Sequence, residues 1–180
     1  MRLADQLTLA RVIAVPVVVV LFAVNFHGHD YWATGVFIAA MATDWFDGRI
    51  ARRSGVTSNF GSLVDPMADK VLVLATLVVL LEQRVFPAWM VAAIVARELL
   101  VSGLRLAAVE RGVVIAARDL GKLKTWAQAI AAGTGGIAAA GGVGNTAAWW
   151  TLAVALALTW ISAADYGRSV PQLFRSGVST

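Results

Sequence analysis

Six stretches of about twenty mostly apolar residues follow one another along the chain, at about 7–25, 31–52, 66–83, 88–109, 120–141 and 146–166. About that many residues of α-helix cross the hydrocarbon layer of a bilayer. The pattern predicts an all-α, polytopic membrane protein of six transmembrane helices, forming a single domain over residues 1–180. Composition agrees, with 59% hydrophobic and only 14% charged residues, where a soluble domain carries about a quarter charged. Ahead of the first span, Arg2 and Asp5 suggest a short amphipathic segment lying on the membrane surface. Arg11 interrupts the first run and no small-residue cleavage site follows, so that span is expected to stay as an anchor.

Charge sets the orientation. With the N-terminus inside, the connections near 25–31, 82–88 and 141–146 face outward and hold one basic residue, Arg84, out of 15 Lys and Arg. The others lie at inner ends or in inner loops, the asymmetry expected of a chain in the cell membrane with both termini in the cytoplasm. The net charge of +4 is thereby explained as basic cytoplasmic loops, and no nucleic-acid partner is expected. Trp32, Trp89, Trp126, Trp149 and Trp150 fall near predicted edges, as interface anchors do.

Against this background stand four aspartates. Asp44 and Asp47 are spaced i, i+3 near the inner end of the second span, and Asp65 and Asp69 i, i+4 at the inner start of the third. Residues so spaced share a helix face, and the connection from Arg53 to Phe60 is short enough to keep the two helix ends adjacent. A carboxylate at membrane depth is costly unless a cation compensates it. Four oxygen-bearing groups suit one or two hard divalent ions, Mg²⁺ or Mn²⁺. The lack of cysteine points the same way, because it removes thiolate metal chemistry. Gly48, Ala51, Gly61 and Ser62, with Arg52 beside them, leave room for a phosphate-bearing ligand to approach the backbone. The competing account is a buried ion-pair network of the aspartates with Arg49, Arg52, Arg53 and Lys70.

The run Asp44-Trp-Phe-Asp47-Gly48-Arg-Ile-Ala51-Arg52, then eight residues, Gly61, three residues, Asp65, three residues and Asp69, resembles the signature of the CDP-alcohol phosphotransferase family. Further segments, Thr8-Leu-Ala-Arg11 with Pro16, Asp69-Lys70, Ala96-Arg97-Glu98, Leu104-Arg105 and Gly121-Lys122-Leu-Lys124-Thr125, are similar to its bacterial members that make phosphatidylglycerophosphate. The likeness runs from about residue 5 to 130, and the final span carries no feature of note. The resemblance implies a homodimeric six-helix membrane enzyme. It would transfer the phosphatidyl group of CDP-diacylglycerol to sn-glycerol 3-phosphate, releasing CMP. By position, Asp44, Asp47, Asp65 and Asp69 would hold two divalent ions, and Asp69 would be the general base. Asp44, Gly48, Ala51, Arg52, Gly61 and Ser62 would hold the cytidine diphosphate part.

An anionic acceptor needs cations of its own. Arg105 and Lys124 lead the candidates for its phosphate, followed by Arg97, Arg118 and Lys122, because Arg forks and Lys point charges suit phosphate oxygens. Topology and anionic-lipid contact would account for the same residues without a substrate, and Glu98 reads as an ion-pair partner of Arg97. Leu106 and Ala117-Arg118-Asp119 depart from the synthase pattern in this region. Other acceptors, an inositol phosphate or phosphatidylglycerol, are the alternatives within the family. A cation-coupled transporter is the alternative outside it, disfavoured because the carboxylates gather at one membrane face rather than the midplane. Gly133, Gly135 and Gly136 are expected to permit close helix packing, possible between subunits as well.

Overall fold

The computed structural model describes the backbone at residues 3–54, 59–110 and 119–176, and side-chain surroundings at 10–43, 70–108 and 120–167. The described residues are all-α: α1 (Leu3–Ala23), α2 (His29–Ser54), α3 (Asn59–Glu82), α4 (Ala88–Glu110), α5 (Asp119–Ala139) and α6 (Asn145–Ser176). Each helix covers most of one of the apolar stretches. The expected N-terminal lead is not separate: the helix is continuous from Leu3 through Ala23. Two helices also outrun their apolar cores. α3 starts at Asn59 rather than 66, and α6 runs on to Ser176, because backbone hydrogen bonding continues where side chains turn polar.

The α3 end of the connection to α4 shows how these helices stop. Arg84 takes the left-handed conformation (φ 59°). Its N–H donates to Leu81 O at 3.0 Å, and the Val85 N–H donates to Leu80 O at 3.1 Å. That pairing satisfies the last carbonyls of the helix. Gly141 (φ 79°) closes α5 in the same way, its N–H and that of Gly142 donating to Ala138 O and Ile137 O.

α1 packs on α2 and α3; α5 packs on α6, α2 and α3; and α4 leans on α6 and α3. Phe37, Leu72, Leu77, Leu80, Ile94 and Leu152 fill the centre, with Ala131 and Ala132 on the α5 side. Small residues let α5 approach its neighbours, and this packing lies within one subunit. A Cβ on Gly135 would meet the Phe86 ring and Leu80, and one on Gly136 would reach the Cβ and Cγ2 of Thr34 at 3.1 Å. Thr34 cannot turn away freely, because its hydroxyl donates to Asp30 O at 2.7 Å. Overpacking of this kind costs about 1–3 kcal/mol. Gly136→Ala should therefore lower the melting temperature of the detergent-solubilised protein; an unchanged melting curve would show that the α2–α5 contact yields.

The surface inverts the usual pattern. Leu99, Leu100, Leu104 and Leu106 of α4 and Trp160 and Ile161 of α6 are exposed, while Arg97, Glu98, Lys124 and Gln128 are buried. Among the described residues, Asn145–Gly167 is long and apolar enough to cross a membrane, and Ala10–Ala23 is a shorter apolar segment.

Candidate active site

Helix continuity places the two acidic pairs. Asp44 and Asp47 lie about 15 and 10 Å along α2 from its end at Ser54, and Asp65 and Asp69 about 9 and 15 Å along α3 from its start at Asn59, at 1.5 Å per residue. Five Cα steps separate Ser54 from Asn59, so the two helix ends are at most about 18 Å apart. Along their own helices the two pairs thus lie at similar distances from the facing ends, well inside α2 and α3 rather than at their ends. The side chains of Asp44, Asp47, Gly48, Ala51, Arg52, Gly61, Ser62, Asp65 and Asp69 lie outside the described residues. Among those that are described, no group of three or more His, Cys, Asp or Glu stands ready to hold a metal. As a donor set, four carboxylates on two helices fit a hard divalent ion, since oxygen ligands are what Mg²⁺ and Mn²⁺ prefer.

Next to Asp69 in sequence, Lys70 opens a second cluster whose side chains are described. Glu98, Ser102 and Arg105 fall on one face of α4 at spacings of four and three; Lys124 and Gln128 are four apart on α5; Thr159 and Ser162 are three apart on α6. These faces converge. Glu98 Oε1 accepts hydrogen bonds from Arg97 Nη1 at 2.8 Å and Gln128 Nε2 at 3.2 Å. The same oxygen accepts a charge-assisted hydrogen bond from Lys124 Nζ. Lys70 Nζ lies 4.0 Å from Glu98 Oε2 and donates to Ser102 Oγ at 2.8 Å. α6 closes the far side: Arg97 Nη2 donates to Ser162 Oγ at 3.1 Å, and Gln128 Nε2 to Thr159 Oγ1 at 2.8 Å.

The cluster is electrostatically one unit. Lys70 feels the charges of Arg97 and Arg105, and Lys124 those of Arg97 and Lys70. Among the described residues, the ammonium and guanidinium groups of Lys70, Arg97 and Lys124 surround the carboxylate of Glu98, and Arg105 stands beside Lys70. Arg97 and Glu98 are 3% and 2% exposed. The Nε atoms of Arg97 and Arg105 are buried with no hydrogen-bond partner among the described residues. A buried guanidinium N–H without a partner is rare and calls for an explanation; an anionic ligand supplies one, because a phosphate offers several acceptors to such forks.

Of the five basic candidates, Arg97, Arg105 and Lys124 belong to this cluster. Lys122 does not share its face: it is exposed and lies about 200° around α5 from Lys124, two residues at 100° each. Arg118 lies outside the described residues. Leu106 is exposed as well, so its departure from the synthase pattern falls on the outer surface and not in the cluster. The expectation of a featureless final span is corrected by Thr159 and Ser162, which are buried and accept from the cluster. Lys70, Ser102 and Gln128 were not singled out as ligands from sequence. Their signal was polar residues at helical spacing on otherwise apolar spans.

The chain is similar in sequence to known proteins over most of its length. The family model described as CDP-alcohol phosphatidyltransferase matches residues 1–161. The chain is 42% identical over 143 residues to the CDP-diacylglycerol–glycerol-3-phosphate 3-phosphatidyltransferase of Bacillus subtilis (strain 168), covering 72% of this chain and 74% of that protein. It is 40% identical over 170 residues to the probable phosphatidylglycerophosphate synthase of Mycobacterium tuberculosis (strain ATCC 25618 / H37Rv), covering 92% and 79%. Against CDP-diacylglycerol–glycerol-3-phosphate 3-phosphatidyltransferase 2 of Arabidopsis thaliana, identity is 41% over 143 residues, covering 72% and 61%.

Proposed function

The chain belongs to the CDP-alcohol phosphatidyltransferase family, and from that premise we propose that it transfers the phosphatidyl group of CDP-diacylglycerol to the 1-hydroxyl of sn-glycerol 3-phosphate. The products are phosphatidylglycerophosphate and CMP. The observation that carries the choice of acceptor is the cationic cluster of Lys70, Arg97, Arg105 and Lys124, joined to the acidic pairs by adjacency of Lys70 to Asp69. A small phosphate-bearing alcohol can anchor its phosphate on the first and reach the second with its hydroxyl.

Asp69 takes the proton of that hydroxyl. The freed oxygen bonds to the phosphorus that carries diacylglycerol as the anhydride bond to CMP breaks, and the electron pair leaves on the CMP phosphate. An alcohol is a weak nucleophile until a placed carboxylate accepts its proton, and the rest of the rate comes from positioning and charge stabilisation. Asp44, Asp47, Asp65 and Asp69 would hold two divalent ions, Mg²⁺ or Mn²⁺, which when bound neutralise the pyrophosphate and stabilise departing CMP. Asp44, Gly48, Ala51, Arg52, Gly61 and Ser62 contact the cytidine diphosphate part. Arg105, Lys124 and Arg97 hold the acceptor's phosphate, with Lys70 added to the set.

All six helices cross the cell membrane, with both termini and the active site toward the cytoplasm, as one domain that pairs into a homodimer. The apolar exterior around buried charges supports this arrangement, since lipid tolerates exposed leucine and tryptophan where water does not. It also explains why the reaction sits at depth: the acyl chains of CDP-diacylglycerol stay in the bilayer while its head group meets a water-soluble acceptor.

Purified protein given CDP-diacylglycerol, Mg²⁺ or Mn²⁺ and a panel of radiolabelled acceptors should release CMP with glycerol 3-phosphate. Release with inositol phosphate or phosphatidylglycerol alone would reassign the acceptor, and release with none would remove the enzymatic reading.

A further inference from the structure

Among the described residues, Glu98 is the acidic side chain held by the cations of the cluster, and its position suggests a task other than holding helices together. One oxygen, Oε1, takes hydrogen bonds from Arg97, Lys124 and Gln128, while Oε2 lies 4.0 Å from the Lys70 ammonium. The donors are braced from behind by Ser162 and Thr159. Lys124 and the two Nη atoms of Arg97 are therefore already partnered before any ligand arrives, whereas the Nε atoms of Arg97 and Arg105 stay buried without a partner among the described residues.

The reaction gives this arrangement a meaning. Transfer occurs at the acceptor's hydroxyl, so its phosphomonoester passes unaltered from substrate to product. Contacts to that phosphate stabilise acceptor, transition state and product alike, and such uniform binding does not lower the chemical barrier. Beyond the affinity needed to capture the acceptor, each added contact only delays departure of the product, and release sets the turnover of many enzymes. A pocket with four uncompensated cations would hold a phosphate dianion strongly in a low-dielectric interior.

Resting on the assignment of this cluster to the acceptor's phosphate, we propose that Glu98 is a positioning residue that acts as an internal counter-anion. It restrains Lys124 and Arg97 and keeps the grip on the phosphate weak enough for phosphatidylglycerophosphate to leave. Glu98 touches neither reacting atom; it acts through the two cations it holds.

The test is Glu98→Gln in the full-length protein in mixed micelles, with both substrates varied. The acceptor KM should fall about five-fold and kcat about ten-fold, with the KM for CDP-diacylglycerol unchanged. CMP should appear as a burst of about one equivalent per enzyme before a slow steady state, the mark of a release-limited reaction. Adding Lys124→Met to Glu98→Gln should abolish the burst, because the unrestrained cation is gone. Glu98→Asp, which draws the carboxylate back while keeping its charge, should show the same changes at smaller size and serves if the glutamine variant does not fold. A rise in the acceptor KM of either variant, or slow turnover without a burst, overturns the proposal. Lys124→Met and Arg105→Ala, measured alongside, separate the two levels. If neither raises the acceptor KM, the pocket assignment falls and the role of Glu98 with it. If they do while Glu98→Gln leaves acceptor affinity unimproved, only the counter-anion role falls.

Discussion

Replacing Asp69 with asparagine should abolish turnover while leaving a folded protein that extracts and melts as before. The amide has nearly the shape of the carboxylate but cannot take a proton at neutral pH. General-base catalysis contributes about 10²–10⁴-fold, so kcat measured by CMP release should fall by roughly three orders of magnitude. The position is well inside α3, ten residues beyond its start at Asn59, so an isosteric change there leaves the helix intact. Excess Mn²⁺ should not restore the rate. Recovery with added ion would make Asp69 a metal ligand only, and near-normal activity without it would remove the residue from the mechanism.

The second large effect concerns the acceptor. Arg105→Ala should raise the KM for glycerol 3-phosphate by about 10–100-fold, the equivalent of one charge-assisted contact, with little change in the KM for CDP-diacylglycerol. Arg105 brings to the cluster a buried Nε that lacks a partner among the described residues, so truncation removes a donor that none of them uses. Arg105→Lys should recover only part of the loss, because an ammonium lacks the planar fork. The reverse pattern, with CDP-diacylglycerol affinity lost and acceptor affinity kept, would move the phosphate pocket elsewhere.

Much of this was legible in the chain because hydropathy and helical spacing are local. The apolar runs located all six helices, and the spacing of the aspartates put each pair on a single helix face. The misplaced boundaries have a common cause. Asn59 and Phe60 read as connection, yet they are helical in α3, since hydropathy reports the solvent around a helix and not its hydrogen bonding. Arg97, Arg105 and Lys124 stood out as charges in apolar spans. Thr159 and Ser162 did not, because hydroxyls in such spans commonly bond back to their own helix. Thr76 does so to Leu72 O at 2.9 Å, and Thr134 to Ile130 O at 2.9 Å. Which hydroxyl instead accepts from a neighbouring helix depends on long-range packing. For the same reason Glu98 resembled a partner of Arg97 alone, until α5 brought Lys124 and Gln128 against it.

The bonds from Gln128 to Thr159 and from Arg97 to Ser162 also bear on how the protein is made. Ribosomal synthesis delivers α6 last, so a nascent chain that ends before residue 159 has its basic residues embedded without two of the hydroxyls that brace them. The bracing of these basic residues is then complete only once α6 has been made. A chain that stops short of α6 should therefore hold its embedded charges less firmly than the one that carries it.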